Sequence, residues 1–202
     1  MPPDGHLLEL AVTLQMRPAD LLAIAGHEIP ALLTPAEFAA HRQVEAVLRA
    51  CWHHTTDVIA EVCEHARSLP PQPGSDNRQS VPALATPTFG PVFGRLMRLR
   101  NVNSSLLARM TLSAEATVNV MRHGERVPAV ERVFSIAAAL GLRGDDVEAM
   151  AGYPDSVPPD DPSLLKRLAA TQALGELVCA LVPLRSEQLD AVTAHAKSLA
   201  LR

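Results

Sequence analysis

Two short helical stretches, separated by a brief break, lie between Asn103 and Pro128. The segment reads NSSLLARMTLSAEATVNVMRHGERVP, and its second half closes with a Gly before the Pro. Isolated helices shorter than about 12–15 residues are marginal in water. Neither half can therefore be stable alone, and each must pack against the other. The segment predicts two helices that are joined by a turn and packed against each other in a fixed geometry.

Apolar residues at helical spacing predict a further helix on either side of this pair. The stripe before it consists of Phe89, Val92, Phe93, Leu96 and Leu99, and the stripe after it of Val130, Val133, Ile136, Ala137 and Leu140. Within the pair, the same spacing predicts that Leu107, Ala108, Val118 and Met121 are buried. The second helix of the pair is expected to start at Thr111 or Ser113 as its cap and to end at Gly124.

The stretch from Phe89 to Leu142 resembles, without insertions, the helix-turn-helix domain of the Xre/Cro/cI repressor family. The shared landmarks are Phe89-Gly90, Phe93, Leu96, Leu107-Ala108, Val118, Met121, Gly124, Pro128, Val133, Ile136-Ala137 and Leu140-Gly141. The resemblance covers about a quarter of the chain. It implies an all-α fold with a lambda-repressor-like helix-turn-helix domain, and a sequence-specific DNA-binding regulator of transcription.

The resemblance also implies which residues face DNA. With Val118 and Met121 buried, the second helix of the pair directs Glu115, Ala116, Asn119, Arg122 and His123 outward. Asn119 is the best candidate for reading a base, because an Asn amide can pair bidentately with adenine. The expected phosphate contacts are Arg98, Arg100, Arg122 and Arg126, together with Ser104 at the start of the bracing helix, where the family often has Gln. The chain departs from the family at Leu112, where the turn usually has Gly, and at Met97 and Arg122, where Arg and Glu are common.

The charge distribution favours a polyanionic partner for this segment. The whole chain carries a net charge of -4, but Phe89 to Arg143 contains eight Arg and three Glu and therefore carries +5. A local basic field of this kind attracts nucleic acid. A solvated charged face without a partner is the simpler alternative.

The rest of the chain suggests two related helical units. Leu7 to Gly26 aligns without gaps on Val133 to Gly152, and the closing phrases HARSL and HAKSL, which begin at His65 and His195, also match. Partial internal duplication is therefore expected, with matched positions such as Leu10 and Ile136 buried alike. The predicted organisation is an N-terminal helical unit over residues 1–69, an exposed linker over 70–88, the helix-turn-helix domain over 89–153 and a C-terminal helical tail over 154–202.

Other functional classes are weakly indicated. Cys51, His53, His54, Cys63 and His65 lie close in sequence, but their spacing does not place them on one helical face, so no metal site or cofactor is expected. No nucleophile–base pair or phosphate-binding Gly loop indicates an enzyme. Three cysteines without a disulfide pattern, no signal peptide and no apolar run of membrane-spanning length predict a cytoplasmic protein without a membrane partner.

The sequence thus predicts a regulator that binds double-stranded DNA, as a homodimer on a palindromic operator. The most continuously apolar helical surface, Leu174 to Val182, is the predicted site of self-association, unless it is buried within its own chain. The alternative is a helix-turn-helix-fold interaction module that binds another regulatory protein and not DNA.

Overall fold

The computed structural model describes residues 4–70, 78–153 and 160–199, and this part of the chain is all-α. Its helices are α1 (Asp4–Thr13), α2 (Pro18–Ala25), α3 (His41–Cys51), α4 (Thr56–Ser68), α5 (Phe89–Arg98), α6 (Ser104–Met110), α7 (Glu115–Arg122), α8 (Val130–Leu140), α9 (Gly144–Ala151), α10 (Pro162–Leu181) and α11 (Ser186–Leu199), with a 3-10 turn at Ala31–Leu33. One isolated antiparallel bridge joins Ile29 to Val81.

Helices α2 and α9 have matching local structure. Each is eight residues long, and each ends at a glycine in the left-handed region, Gly26 with φ 78° and Gly152 with φ 77°. An ion pair spans the first turn in both, between Arg17 and Asp20 at 3.9 Å and between Arg143 and Asp146 at 2.8 Å. The two aligned stretches therefore share helix length, the ion pair at the helix start and the terminating glycine.

The closing helices of the two units pair crosswise. α3 packs against α11, and α4 packs against α10. Where α4 and α11 meet, the rings of His65 and His195 stack with their centroids 4.1 Å apart and their planes inclined by 25°. His54, which follows α3, lies 3.3 Å from the carbonyl oxygen of Ala196 through its ring Nε2. The two sequence-matched tails thus contact each other within one chain.

The apolar surface of α10 is covered inside the same chain. Leu177, Val178 and Leu181 are buried, and α10 packs on α8 as well as α4. The approach to α8 is close, because a Cβ added at Gly175 would lie only 2.0 Å from the carbonyl oxygen of Ala138. The stretch predicted for self-association is therefore an internal contact.

The two units differ at α1. Leu10 is 43% exposed, whereas its sequence match Ile136 is 2% exposed, so the prediction that the two are buried alike is wrong. The physical reason is the neighbourhood of each helix, since α8 packs against α6, α9 and α10 while α1 packs against α2. Leu8 and Val12 are also exposed on α1.

Part of the predicted linker is packed structure. Residues 71–77 lie outside the described part of the chain, but Val81 is buried and exchanges backbone hydrogen bonds with Ile29, at 2.9 and 3.0 Å. The amide of Leu84 donates to the carbonyl of Gly26 at 2.8 Å. The expectation of an exposed linker is therefore wrong at Val81, whereas Pro82 and Ala83 are exposed. In the second predicted break, residues 154–159 also lie outside the described part.

Candidate nucleic-acid interface

The predicted helix pair consists of α6 and α7, which pack against each other while α7 also packs on α5. Asn103 caps α6, because its side-chain oxygen accepts from the amide of Leu106 at 2.8 Å. Val118 and Met121 are the buried residues of α7. Their burial fixes the rotation of α7 about its axis and so determines which side chains face outward.

The turn between α6 and α7 is formed at Leu112. Leu112 adopts φ 52°, in the left-handed region, and its side chain is 74% exposed. The helix that follows has Ala114 as its N-cap residue, without a side-chain cap. The prediction that Thr111 or Ser113 caps α7 is therefore wrong. Their hydroxyls bond elsewhere, that of Thr111 donating to the Leu107 carbonyl and that of Ser113 accepting from Arg132.

The outward face of α7 carries most of the residues predicted to read DNA. Glu115, Ala116, Arg122 and His123 are exposed, and Asn119 is half-buried on the same helix. Arg126, in the loop after α7, is also exposed. The structure thus brings these six residues together around one helix and the loop that follows it.

Arg100 does not lie on this surface. It is 1% exposed and makes two hydrogen bonds of 2.8 Å to the carboxylate of Asp20, with a third of 2.6 Å to the carbonyl of Leu140. Burial alone would lower the pKa of Arg100, but the Asp20 carboxylate outweighs that effect and raises it. The prediction that Arg100 contacts a phosphate is wrong, because its guanidinium is used inside the protein.

Ser104 is also inaccessible. It is 5% exposed, and its hydroxyl is buried without a hydrogen-bond partner. The first unit lies against this region: Asn101 donates from its amide to the carbonyl of Glu37 at 2.8 Å, and Arg109 pairs with Glu45 at 2.7 Å. The prediction of a phosphate contact at Ser104 is therefore wrong in this arrangement, because the first unit packs against the edge where α6 begins.

Two residues of the first unit that lie beside α7 were not predicted from the sequence. Phe38 carries the guanidinium of Arg98 over its ring, 4.5 Å from the centroid, and His41 begins α3. Both line a cleft that Arg98 and Arg122 also line. No local signal could have found them, because only the packing of the first unit on α5 and α6 places them there.

The cysteines of the cysteine and histidine cluster lie inside the protein. Cys51 and Cys63 are buried, and burial raises the pKa of the Cys51 thiol to about 11. Thiolates are the metal-binding form of cysteine, so this environment disfavours a ligand at Cys51. Within residues 4–70, 78–153 and 160–199, no group of three or more His, Cys, Asp or Glu side chains is placed to hold a metal ion.

Comparison with known proteins found no matching family model, no matching curated protein and no matching solved structure. In the described part of the chain, none of the helices has the length and apolar character needed to cross a membrane.

Proposed function

We propose that this protein is a sequence-specific DNA-binding regulator of transcription that acts through α6 and α7, in a domain of the lambda-repressor-like type. The observation that carries the proposal is the packing of α7. Val118 and Met121 are buried, and Glu115, Ala116, Arg122 and His123 are left exposed around the rest of the helix. A helix braced in this way can enter the major groove with its free face toward the bases.

The charge around α7 supports the same proposal. Arg98, Arg122 and Arg126 are exposed around this helix, within the segment that carries +5. Phosphate contacts of this kind position a protein on the duplex without selecting sequence. Selection then falls to Asn119 and the other outward residues of α7.

A binding experiment tests the proposal directly. The full chain is incubated with a library of genomic fragments, retained fragments are identified by gel shift, and the affinity for the best fragment is measured between 50 and 200 mM salt. The proposal expects a preferred sequence and an affinity that falls steeply with salt. Equal, weak retention of all fragments at every salt concentration would contradict it.

An interaction module that binds another regulator and not DNA is the second candidate. The burial of Ser104 and Arg100 favours it, because two expected phosphate contacts are lost to packing inside the chain. The same titration separates the candidates, since an interaction module shows no salt-sensitive preference for any duplex.

We further propose that the two helical units arose by partial internal duplication. Within the described residues, the first copy lacks a counterpart of α6 and α7. The matched lengths and glycine ends of α2 and α9, the crosswise pairing of the closing helices and the stacking of His65 on His195 support this proposal. The exposure of Leu10 marks a difference between the copies, since α8 packs against α6, α9 and α10 while α1 packs against α2. The chain then consists of two helical units that pair with each other and share a single DNA-binding helix pair, α6 and α7. We refer to this arrangement as the internally paired body.

A homodimer on DNA stays a prediction, which rests on the number of half-sites that one chain can cover. One copy of α7 covers one half-site. Two half-sites about one helical turn apart therefore need two copies of α7, one from each of two chains. The surface first expected to join the copies is buried, so a dimer would have to use another one.

A further inference from the structure

A cleft of about 340 Å³ lies where the first unit meets the reading helix. Its walls come from the start of α3, the end of α5, the loop between α5 and α6, and the end of α7. Among the residues that line it are Phe38, His41, Arg98 and Arg122. The first unit therefore completes a site that the helix-turn-helix domain alone would leave open on one side.

The lining of this cleft is basic. Arg98 and Arg122 contribute guanidinium groups from two helices, His41 contributes an imidazole, and no Asp or Glu is among the residues that line it. Arg98 is held in place by the Phe38 ring, which lies 4.5 Å from the guanidinium carbon. A preorganised guanidinium loses less side-chain freedom on binding an anion than a free one.

The start of helix α3 also lies at the cleft. The helix begins at His41, which lines the cleft, and the preceding Ala40 provides no side-chain cap. The positive end of the dipole of this 11-residue helix favours an anion there.

We propose that this cleft binds a phosphodiester group of the DNA backbone, with His41 of the first unit as one of its contacts. The proposal rests on the proposed function and adds to it that the first unit takes part in DNA binding. Arg122 connects the two, since it lies both in the cleft and on α7. The cleft replaces the contact that the buried Ser104 can no longer make at the start of α6.

The test compares the salt dependence of DNA affinity in the full chain and three variants. His41→Ala removes the contact, His41→Arg supplies a permanent charge, and His53→Ala is the matched control, an exposed histidine just beyond α3. Each phosphate contact contributes about 0.9 to the slope of log affinity against log salt. We expect His41→Ala to lower the slope by up to about one unit, and His41→Arg to preserve or raise it, with His53→Ala unchanged.

A second measurement identifies the source of the phosphate. The imidazole proton resonances of His41 are followed during titration with the preferred duplex and, separately, with inorganic phosphate at matched ionic strength. A shift produced by the duplex alone supports the backbone contact, whereas an equal shift with inorganic phosphate assigns the cleft to a free anion and overturns it. If the wild-type chain binds duplex and His41→Ala has the slope of His53→Ala, the cleft proposal fails alone. If the wild-type chain shows no salt-sensitive binding, the proposed function fails as well.

Discussion

Asp20 and Arg100 form a bidentate ion pair that is buried on both sides. Arg100 Nη1 lies 2.8 Å from Asp20 Oδ1, Arg100 Nη2 lies 2.8 Å from Asp20 Oδ2, and the side chains are 0% and 1% exposed for Arg100 and Asp20 respectively. Asp20 belongs to α2, and Arg100 follows α5, so the pair joins the first unit to the segment that begins with α5. A third bond, from Arg100 Nε to the carbonyl of Leu140, extends the connection to the end of α8.

Replacing Asp20 should strongly destabilise the protein. Asp20→Ala leaves the guanidinium of Arg100 buried without a counter-charge, and breaking such a pair costs about 3–5 kcal/mol. The matched control is Asp146→Ala, which removes the corresponding carboxylate from an ion pair whose Arg143 side chain is more than half exposed. Exposed pairs contribute about 0–1 kcal/mol. Urea unfolding of both variants measures the difference, and equal losses would contradict a special role for the buried pair.

The same ion pair is a feature that the sequence alone could not predict. Helix order, the stripe from Phe89 to Leu99 and the buried faces of α6 and α7 follow from apolar spacing, because that signal is local. Arg98 and Arg100 have similar local surroundings in sequence, yet Arg98 is exposed and Arg100 is buried. Arg100 is buried because it pairs with Asp20, which lies 80 residues away in sequence. The apolar spacing within a single helix cannot predict that contact.

Substituting Leu112 with Gly should leave stability unchanged or raise it. The left-handed conformation at Leu112 costs a non-glycine residue roughly 1–2 kcal/mol, and the extra chain entropy of Gly in the unfolded state offsets about 0.5–1 kcal/mol of that. The exposed leucine side chain loses little burial. Chemical denaturation measures the change. A loss above about 1 kcal/mol in Leu112→Gly would mean that the side chain makes contacts that stabilise the turn.

Stability should fall as the pH drops through the range in which histidine titrates. Burial, and then the neighbouring His195, lower the pKa of His65 below its ordinary value of 6.5. The unfolded chain therefore binds a proton at His65 more readily than the folded chain does, and the free energy of unfolding decreases once the pH falls below about 6.5. Above that pH this contribution is fully present.

The His65 contribution can be isolated with two variants. His65→Gln removes the titrating ring from the stack, so the difference in unfolding free energy between wild type and variant should shrink between pH 7.5 and 5.5. His53→Gln, outside the stacked pair, should leave the wild-type pH dependence in place. A pH-independent difference between wild type and His65→Gln would show that protonation at this site is not linked to folding.

Two substitutions should separate base reading from phosphate binding in the proposed interface. Asn119→Ala should relax specificity at one position of the preferred site and cost about 1–3 kcal/mol there. Arg126→Ala should weaken all sequences similarly and lower the salt slope by about 0.9. Competition between the preferred duplex and single-base variants, repeated over a salt series, distinguishes the two patterns. Loss of affinity without change in preference in Asn119→Ala would remove it as the base-reading residue.

The oligomeric state without DNA should be a monomer of 21.6 kDa. The apolar face of α10 is already covered by α4 and α8, and an association through it would require those helices to separate. Sedimentation over a wide concentration range tests this expectation. A stable dimer would direct attention to an exposed surface, such as the face of α1 that contains Leu8 and Val12.

Separating α10 from α8 by mutation should make the protein associate instead of staying monomeric. A Cβ at Gly175 would lie 2.0 Å from the Ala138 carbonyl oxygen and 2.8 Å from the Gly141 amide nitrogen, so Gly175→Ala forces α10 away from α8. Overpacking of this kind typically costs about 1–3 kcal/mol. We expect lower stability and concentration-dependent association of the variant, because Leu177 and Val178 become accessible. Gly5→Ala is the control, since its Cβ would meet nothing within 4 Å. If wild type is a dimer that Gly175→Ala dissociates, α10 joins two copies, and the internally paired body proposed for this chain is wrong.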